Sequence, residues 1–90
     1  MGYTIFVPVD WIYVGARVWI IEPGSRTGYG EPWPCRNMIK GFSRSGLYYQ
    51  HDSSTPVYHT EFSEIGKSVF ETKEEAEEAL VKWRKWKKGE

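Results

Sequence analysis

The chain has 90 residues, with twelve basic and twelve acidic side chains and therefore no formal net charge. This length suits one domain, and the balanced charge argues against a protein whose whole surface follows a nucleic-acid backbone. The single cysteine excludes an internal disulfide, and no stretch approaches the roughly 20 apolar residues of a membrane-spanning helix. We therefore expect one domain, residues 1–90, in a reducing cytoplasm.

Aromatic residues make up 17% of the chain. A small domain buries a modest fraction of its surface, so its core depends on large side chains, and each aromatic ring can bury roughly 150 to 250 Å². The alternative is an aromatic surface that anchors a binding partner. The composition alone leaves both interpretations open.

Two runs of β-branched and aromatic residues, at positions 3–7 and 17–21, are typical of short strands. Residues 24–35 follow, with three glycines and two prolines, and predict the longest irregular loop of the chain. The glycines of this loop do not have the spacing of a phosphate-binding loop. Loops on rigid scaffolds often hold binding residues, so this segment is a candidate interaction site.

The middle of the chain predicts more strands. Residues 37–42 and 47–50 flank a polar turn at 43–46 that suits a hairpin, and residues 57–62 alternate apolar and polar side chains. The expected fold class is α+β, a small curled antiparallel sheet or barrel of about five strands closed by one C-terminal helix. In this scheme residues 1–70 are rich in strands and residues 72–88 form the helix.

The helix start is encoded by Thr72 and Glu75, which form a capping box that places the first helical residue at Lys73. Acidic residues fill the first turns and basic residues the last ones, as the helix dipole favours. Four apolar residues recur at helical spacing and predict the face that packs on the sheet: Ala76, Ala79, Leu80 and Trp83.

Residues 65–80 read Ile-Gly-Lys-Ser-Val-Phe-Glu-Thr-Lys-Glu-Glu-Ala-Glu-Glu-Ala-Leu. This segment, about a fifth of the chain, resembles the C-terminal signature of a loose family of short reading frames from phages and mobile elements of Gram-positive bacteria. In that family a Gly-Lys-Ser/Thr-Val-Phe segment runs into Thr-x-Glu-Glu-Ala, usually with an apolar residue where this chain has Glu71. The resemblance implies a mobile-element origin, action inside a host bacterial cell, and an anti-CRISPR or other anti-defence role.

Nucleophilic catalysis would have to combine Cys35 with His51 or His59, oriented by Asp52 or Glu61. No local signature surrounds the cysteine, and the three candidate zinc ligands Cys35, His51 and His59 lack the close paired spacing of a structural zinc site. We therefore expect no enzymatic activity, no cofactor and no metal site.

The favoured functional prediction is a partner-binding surface on the 24–35 segment. Two prolines restrict the backbone around Trp33, which would lower the entropy lost when its indole docks on a partner. We expect Trp33 and Tyr29 to anchor a host protein, such as a nucleic-acid-processing defence complex, with Arg26 and Arg36 at the rim.

An alternative site lies at the helix end, where basic residues alternate with tryptophan. Phosphates could bind the cations while an indole stacks on a base. The alternative function is thus a small nucleic-acid-binding barrel that uses Lys82, Arg84, Lys85, Trp86, Lys87 and Lys88.

Overall fold

The computed structural model describes residues 5–27 and 30–88, without the side chains of Arg26 and of residues 83–88. Within these residues the strands are β1 Arg17–Glu22, β2 Trp33–Phe42, β3 Gly46–Gln50, β4 Tyr58–Glu61 and β5 Val69–Phe70. The helices are a single turn, α1 Gly24–Thr27, and the C-terminal α2 Lys73–Lys88, and a short 3-10 turn spans Phe62–Glu64.

The five strands form one curled antiparallel sheet with the order β4-β3-β2-β1-β5. Together with the C-terminal helix, this sheet confirms the expected α+β class. The hairpin between β2 and β3 is also confirmed, since the Ser43 N–H donates to the Gly46 carbonyl at 2.9 Å. Across residues 5–27 and 30–88, no helix combines the length and apolar character needed to cross a membrane.

One face of the sheet, the inner face, carries the main core. Val18 and Ile20 of β1 lie on it and pack with the N-terminal segment, which crosses this face before β1 begins. The Gly15 N–H donates to the Ile39 carbonyl at 2.8 Å, which fastens the segment to β2. The buried cluster consists of Ile12, Ala16, Val18, Ile20, Ile39, Leu47, Tyr49 and Val69.

Helix α2 covers part of the opposite face, which we call the outer face. Trp19 lies there because side chains alternate along β1, and the Lys73 Nζ is 5.7 Å from the centre of its ring. Ala76 and Leu80 are buried, as the apolar stripe predicted. The Trp83 side chain lies outside the description.

The capping box at the start of α2 is present as predicted. The Thr72 Oγ1 accepts from the Glu75 N–H at 3.2 Å, and the Thr72 N–H donates to the Glu75 Oε1 at 3.2 Å. Both bonds satisfy backbone N–H groups that the start of the helix would leave without partners. The predicted first residue, Lys73, is the first residue of the helix.

Several predicted boundaries are wrong. Residues 5–7 form no strand, because Val7 contributes its side chain to the core while its backbone stays out of the sheet; residues 3 and 4 lie outside the description. The 24–35 segment is not one irregular loop, since it contains α1 and the first three residues of β2. The 57–62 strand is shorter, as Val57 precedes β4 and Phe62 starts the 3-10 turn.

Candidate partner-binding groove

The first half of β2 has a sheet neighbour on one side. Strand β1 pairs with β2 from Trp33 to Met38, whereas β3 pairs with it from Met38 to Phe42. On the other side of residues 33–37 no strand of the described residues pairs with β2, and the chain after β3 runs beside this edge and leaves a groove of about 530 Å³. The groove is lined by Trp19, Glu22, Thr27, Trp33, Pro34, Cys35, Arg36, His51, Thr55 and Tyr58.

The backbone of β2 presents polar groups to this groove. The Ile39 N–H donates to the Ala16 carbonyl at 2.9 Å, so the backbone groups of Ile39 point towards β1. Because these groups alternate along a strand, the N–H and C=O groups of residues 35 and 37 also point towards β1, and those of residues 34 and 36 point away from it. The Arg36 carbonyl accordingly accepts from the His51 Nδ1 at 2.9 Å across the groove. Pro34 fits this edge because the side facing away from β1 requires no N–H.

Aromatic rings form two walls of the groove. Trp33 is the first residue of β2, lies opposite Glu22 in the register and keeps 39% of its surface exposed. Tyr58, the first residue of β4, is half-buried on the other side. An exposed tryptophan and a half-buried tyrosine beside a strand edge are typical anchors for an extended chain.

The inner end of the groove is polar and buried. Glu22 is 6% exposed and Asn37 is 1% exposed, and the Asn37 Nδ2 donates to the Glu22 Oε2 at 3.3 Å and to the Cys35 carbonyl at 3.2 Å. The Asn37 Oδ1 has no hydrogen-bond partner within the described part of the chain. The groove therefore ends at the Glu22 carboxylate, which accepts a hydrogen bond from the Asn37 amide behind it.

The thiol of Cys35 is part of the same wall and donates to the Trp33 carbonyl with an Sγ–O distance of 3.7 Å. Burial raises the pKa of Cys35, and the nearby Glu22 carboxylate raises it further. Both effects keep the thiol protonated near neutral pH, which is the opposite of an activated cysteine nucleophile.

The turn before β2 fixes the position of Trp33. The Thr27 Oγ1 donates to the Glu31 carbonyl at 3.0 Å, which ties the end of α1 to the approach of β2. Gly24 packs so closely on this approach that a Cβ atom there would lie 2.5 Å from the Glu31 nitrogen. Only glycine suits position 24, so the groove wall depends on a tightly closed turn.

Of the predicted anchor and rim residues, the structure brings Trp33 and Arg36 to one groove. Trp33 occupies a strand rather than a loop. Tyr29 and the Arg26 side chain lie outside the description. At the predicted basic helix end, Lys82 is exposed, and the side chains of Arg84, Lys85, Trp86, Lys87 and Lys88 also lie outside it.

The candidate catalytic and zinc-binding residues are divided between two places. Cys35 and His51 line the groove, whereas the His59 ring contacts Tyr48 in a tilted arrangement with ring centres 4.9 Å apart, and its Nε2 lies 2.7 Å from the Ser43 Oγ. In the residues that the structure describes, no cluster of three or more His, Cys, Asp or Glu side chains is arranged to hold a metal ion.

Sequence reasoning missed Glu22 as a lining residue of the groove and Asn37 as the buried amide behind it. A signal was present in β1, where Val18, Ile20 and Glu22 occupy successive inward positions of an alternating strand. A carboxylate at an inward position needs a buried partner, and Asn37 provides one from β2. The partner could be identified only from the register between the two strands.

Comparisons of this chain with known protein families, with curated proteins and with solved structures find no match.

Proposed function

We propose that this protein is a non-enzymatic binding module that holds an extended segment of a partner protein in the groove beside β2. The observation that supports this most directly is the edge of β2 at Pro34 and Arg36, which faces away from β1, has no paired strand among the described residues and carries the His51 ring on the Arg36 carbonyl. The aromatic rings of Trp33 and Tyr58 border this edge. A strand edge supplies directional hydrogen bonds, and rings beside it supply apolar contact area. Together they favour a peptide chain as the occupant.

The proposed binding mode is strand addition. The Arg36 N–H and the Pro34 carbonyl face away from β1, so a partner strand would donate to the carbonyl and accept from the N–H. The Trp33 indole would pack on the partner's side chains as the energetic anchor. The Arg36 guanidinium would remain at the rim, where it selects for acidic neighbours in the partner.

The narrower proposal concerns the identity of the partner. We propose that it belongs to a host defence nuclease, so that the protein acts as an inhibitor of the anti-CRISPR type. Support comes from the resemblance of residues 65–80 to reading frames of phages and mobile elements. The groove supports the docking step, and the nuclease is suggested by that resemblance alone.

The docking proposal is tested with the immobilised protein and a bacterial lysate, using Cys35 as a reporter because it is the single cysteine and lines the groove. We expect Trp33→Ala to lower capture of the bound protein at least tenfold, as removal of an interface anchor does. Tyr13→Ala is the matched control, since Tyr13 is a 59% exposed aromatic residue on the N-terminal segment. Alkylation of Cys35 should slow in the complex.

Capture that survives Trp33→Ala, with unchanged alkylation of Cys35, would exclude the groove as the docking site. The narrower proposal needs its own measurement, namely plasmid interference in bacteria that carry a defined CRISPR nuclease. Expression of the protein should restore transformation by the targeted plasmid, and Trp33→Ala should not. A groove that binds a partner without any effect on nucleases would keep the docking proposal and contradict the narrower one.

A further inference from the structure

The part of the outer face that α2 leaves open carries exposed cations. The register places Arg17 opposite Met38, and Arg36 lies two residues before Met38 on the same strand, so both arginines point to this face. Lys40 lines a cavity with Arg17 and Met38 and therefore lies on the same side. We call Arg17, Arg36 and Lys40 the basic patch, and all three are exposed.

None of the three cations of the basic patch forms an ion pair with a side chain in the described ranges 5–27 and 30–88. Acidic residues cluster along the sequence at the start of α2, where Glu74 and Glu75 stand in the first turn, and Asp52 is the acidic residue in the cavity beside Arg17 and Lys40. Because the diagonal neighbours of an antiparallel pair are about 7 to 8 Å apart, Arg17 and Arg36 reinforce each other's positive potential.

Between Arg17 and Lys40 lies a cavity of about 280 Å³ whose lining includes the amide side chain of Gln50 and the hydroxyl side chain of Ser53. The Gln50 Nε2 already donates to the Thr55 carbonyl at 2.7 Å, so the two cations and the Ser53 hydroxyl are the groups that suit a phosphate. The lining also includes the carboxylate of Asp52, whose Oδ1 accepts from the N–H and the Oγ of Ser54. Two cations, Arg17 and Lys40, face this one carboxylate, so the cavity keeps an excess of positive charge.

An exposed aromatic ring adjoins the basic patch. Tyr48 keeps 40% of its surface exposed and lies two residues before Gln50 on β3, about 7 Å along the same face. His59 contacts the Tyr48 ring at 4.9 Å between centres, with the planes inclined by 56°, and so supports its orientation. The Tyr48 ring thus offers a stacking surface at a distance that one nucleotide can span from the cavity.

We propose that the open part of the outer face binds single-stranded nucleic acid, with phosphates on the basic patch and an unpaired base stacked on Tyr48. A single strand fits better than a duplex, because a stacking ring on a sheet surface requires a base that is not already stacked on both sides. This site adjoins the protein-binding groove, since Arg36 and His51 border both, whereas Arg17, Lys40 and Tyr48 are absent from the groove lining.

The charge part of the proposal is tested by fluorescence anisotropy with a labelled oligothymidylate over a range of salt concentrations. The double variant Arg17→Glu/Lys40→Glu should weaken binding at least tenfold, and the log–log salt slope should become shallower by about 0.7 for each phosphate contact removed. Lys67→Glu is the matched control, because Lys67 is an exposed lysine in the turn before β5. An equal loss in the control would overturn the proposal.

The stacking part is tested with Tyr48→Ala and Tyr48→Phe in the same assay. Tyr48→Ala should weaken binding about tenfold without changing the salt slope, whereas Tyr48→Phe should retain binding because it keeps the ring. Polyglutamate serves as a competitor of the same charge but without bases. Displacement of the oligonucleotide by polyglutamate at equal charge, or failure of the parent protein to bind the oligonucleotide at low salt, would contradict a nucleic-acid site.

Discussion

The Asn37 Nδ2 donates to the Glu22 Oε2 at 3.3 Å, and this bond joins the two buried polar side chains at the inner end of the groove. Glu22 and Asn37 come from neighbouring strands and share the face that holds Val18 and Ile20. A carboxylate with 6% exposure is tolerated there because an amide donor stands beside it. The polar end of the groove and the stability of the core are therefore coupled.

The first prediction concerns this pair. Asn37→Asp removes the donor and places a second carboxylate beside Glu22, so the free energy of unfolding should fall by about 3 to 5 kcal/mol, as for an uncompensated buried charge. Asn37→Ala should cost less, about 1 to 3 kcal/mol, because it removes the donor without adding a charge. Urea denaturation measures both variants.

The deficit of Asn37→Asp should shrink as the pH falls. Repulsion by a neighbouring carboxylate raises the pKa of the carboxyl introduced at position 37 in the folded variant, so its protonation at lower pH favours folding and relieves the repulsion. Equal denaturation midpoints of Asn37→Asp and Asn37→Ala at neutral pH would show that Glu22 is held by groups other than Asn37.

The second prediction compares two adjacent residues of α2. Leu80 is 4% exposed and Val81 is 60% exposed, although both are aliphatic. Leu80→Ala should lower the free energy of unfolding by about 2 to 5 kcal/mol by opening a cavity under the helix. Val81→Ala should change it by less than about 0.5 kcal/mol, as exposed substitutions usually do. Similar losses of unfolding free energy in the two variants would mean that α2 packs on the sheet through a different face than the one that contains Leu80.

The third prediction uses the reactivity of Cys35. Because burial and the Glu22 carboxylate raise the pKa of this thiol, iodoacetamide should modify it at about pH 8 more slowly than a free cysteine. Glu22→Gln removes the charge effect, so the pKa of Cys35 should fall and the modification should accelerate. A variant that reacts more slowly than the parent would contradict the proposed influence of Glu22.

The same shift has a consequence for stability. A thiol whose pKa is higher in the folded state loses its proton first in the unfolded chain, so folding stability should decline as the pH rises past the ordinary cysteine value. Cys35→Ser lacks this titration and should show a shallower alkaline decline. Parallel alkaline profiles of the parent and Cys35→Ser would contradict the raised pKa.

The elements that could be predicted from sequence are those with strong local signals. The capping pair of Thr72 and Glu75 gave the helix start to the residue, and the runs at 17–21 and 47–50 correspond to β1 and β3. Residues 5–7 looked like a strand because their composition suits one. Whether such a segment joins a sheet or packs across it depends on tertiary contacts, which propensity does not include.

Two residues of the groove could be predicted from the sequence because of their chemical type. Trp33 and Arg36 stand out by residue type, and both line it. The position of the groove was not predictable, because its open edge arises from β3 being shorter than β2. Glu22 lies in the groove wall because the register of β1 with β2 places it opposite Trp33. Pairing lengths and registers are long-range properties that one strand's sequence does not determine.

The last prediction concerns the turn that positions Trp33. At Gly24 an added Cβ would lie 2.5 Å from the Glu31 nitrogen and 2.6 Å from the Gly30 carbonyl carbon, both backbone atoms that cannot move without displacing the approach to β2. Gly24→Ala should therefore lower the free energy of unfolding by about 1 to 3 kcal/mol, as overpacking does. Gly41→Ala is the control, because nothing lies within 4 Å of its added Cβ. Thermal unfolding of both variants, with partner capture by the folded protein, separates the effects. Loss of capture in Gly24→Ala below its melting temperature would show that partner binding depends on the contact of Gly24 with Glu31, whereas identical stability of the two variants would mean that Gly24 and Glu31 are not in close contact.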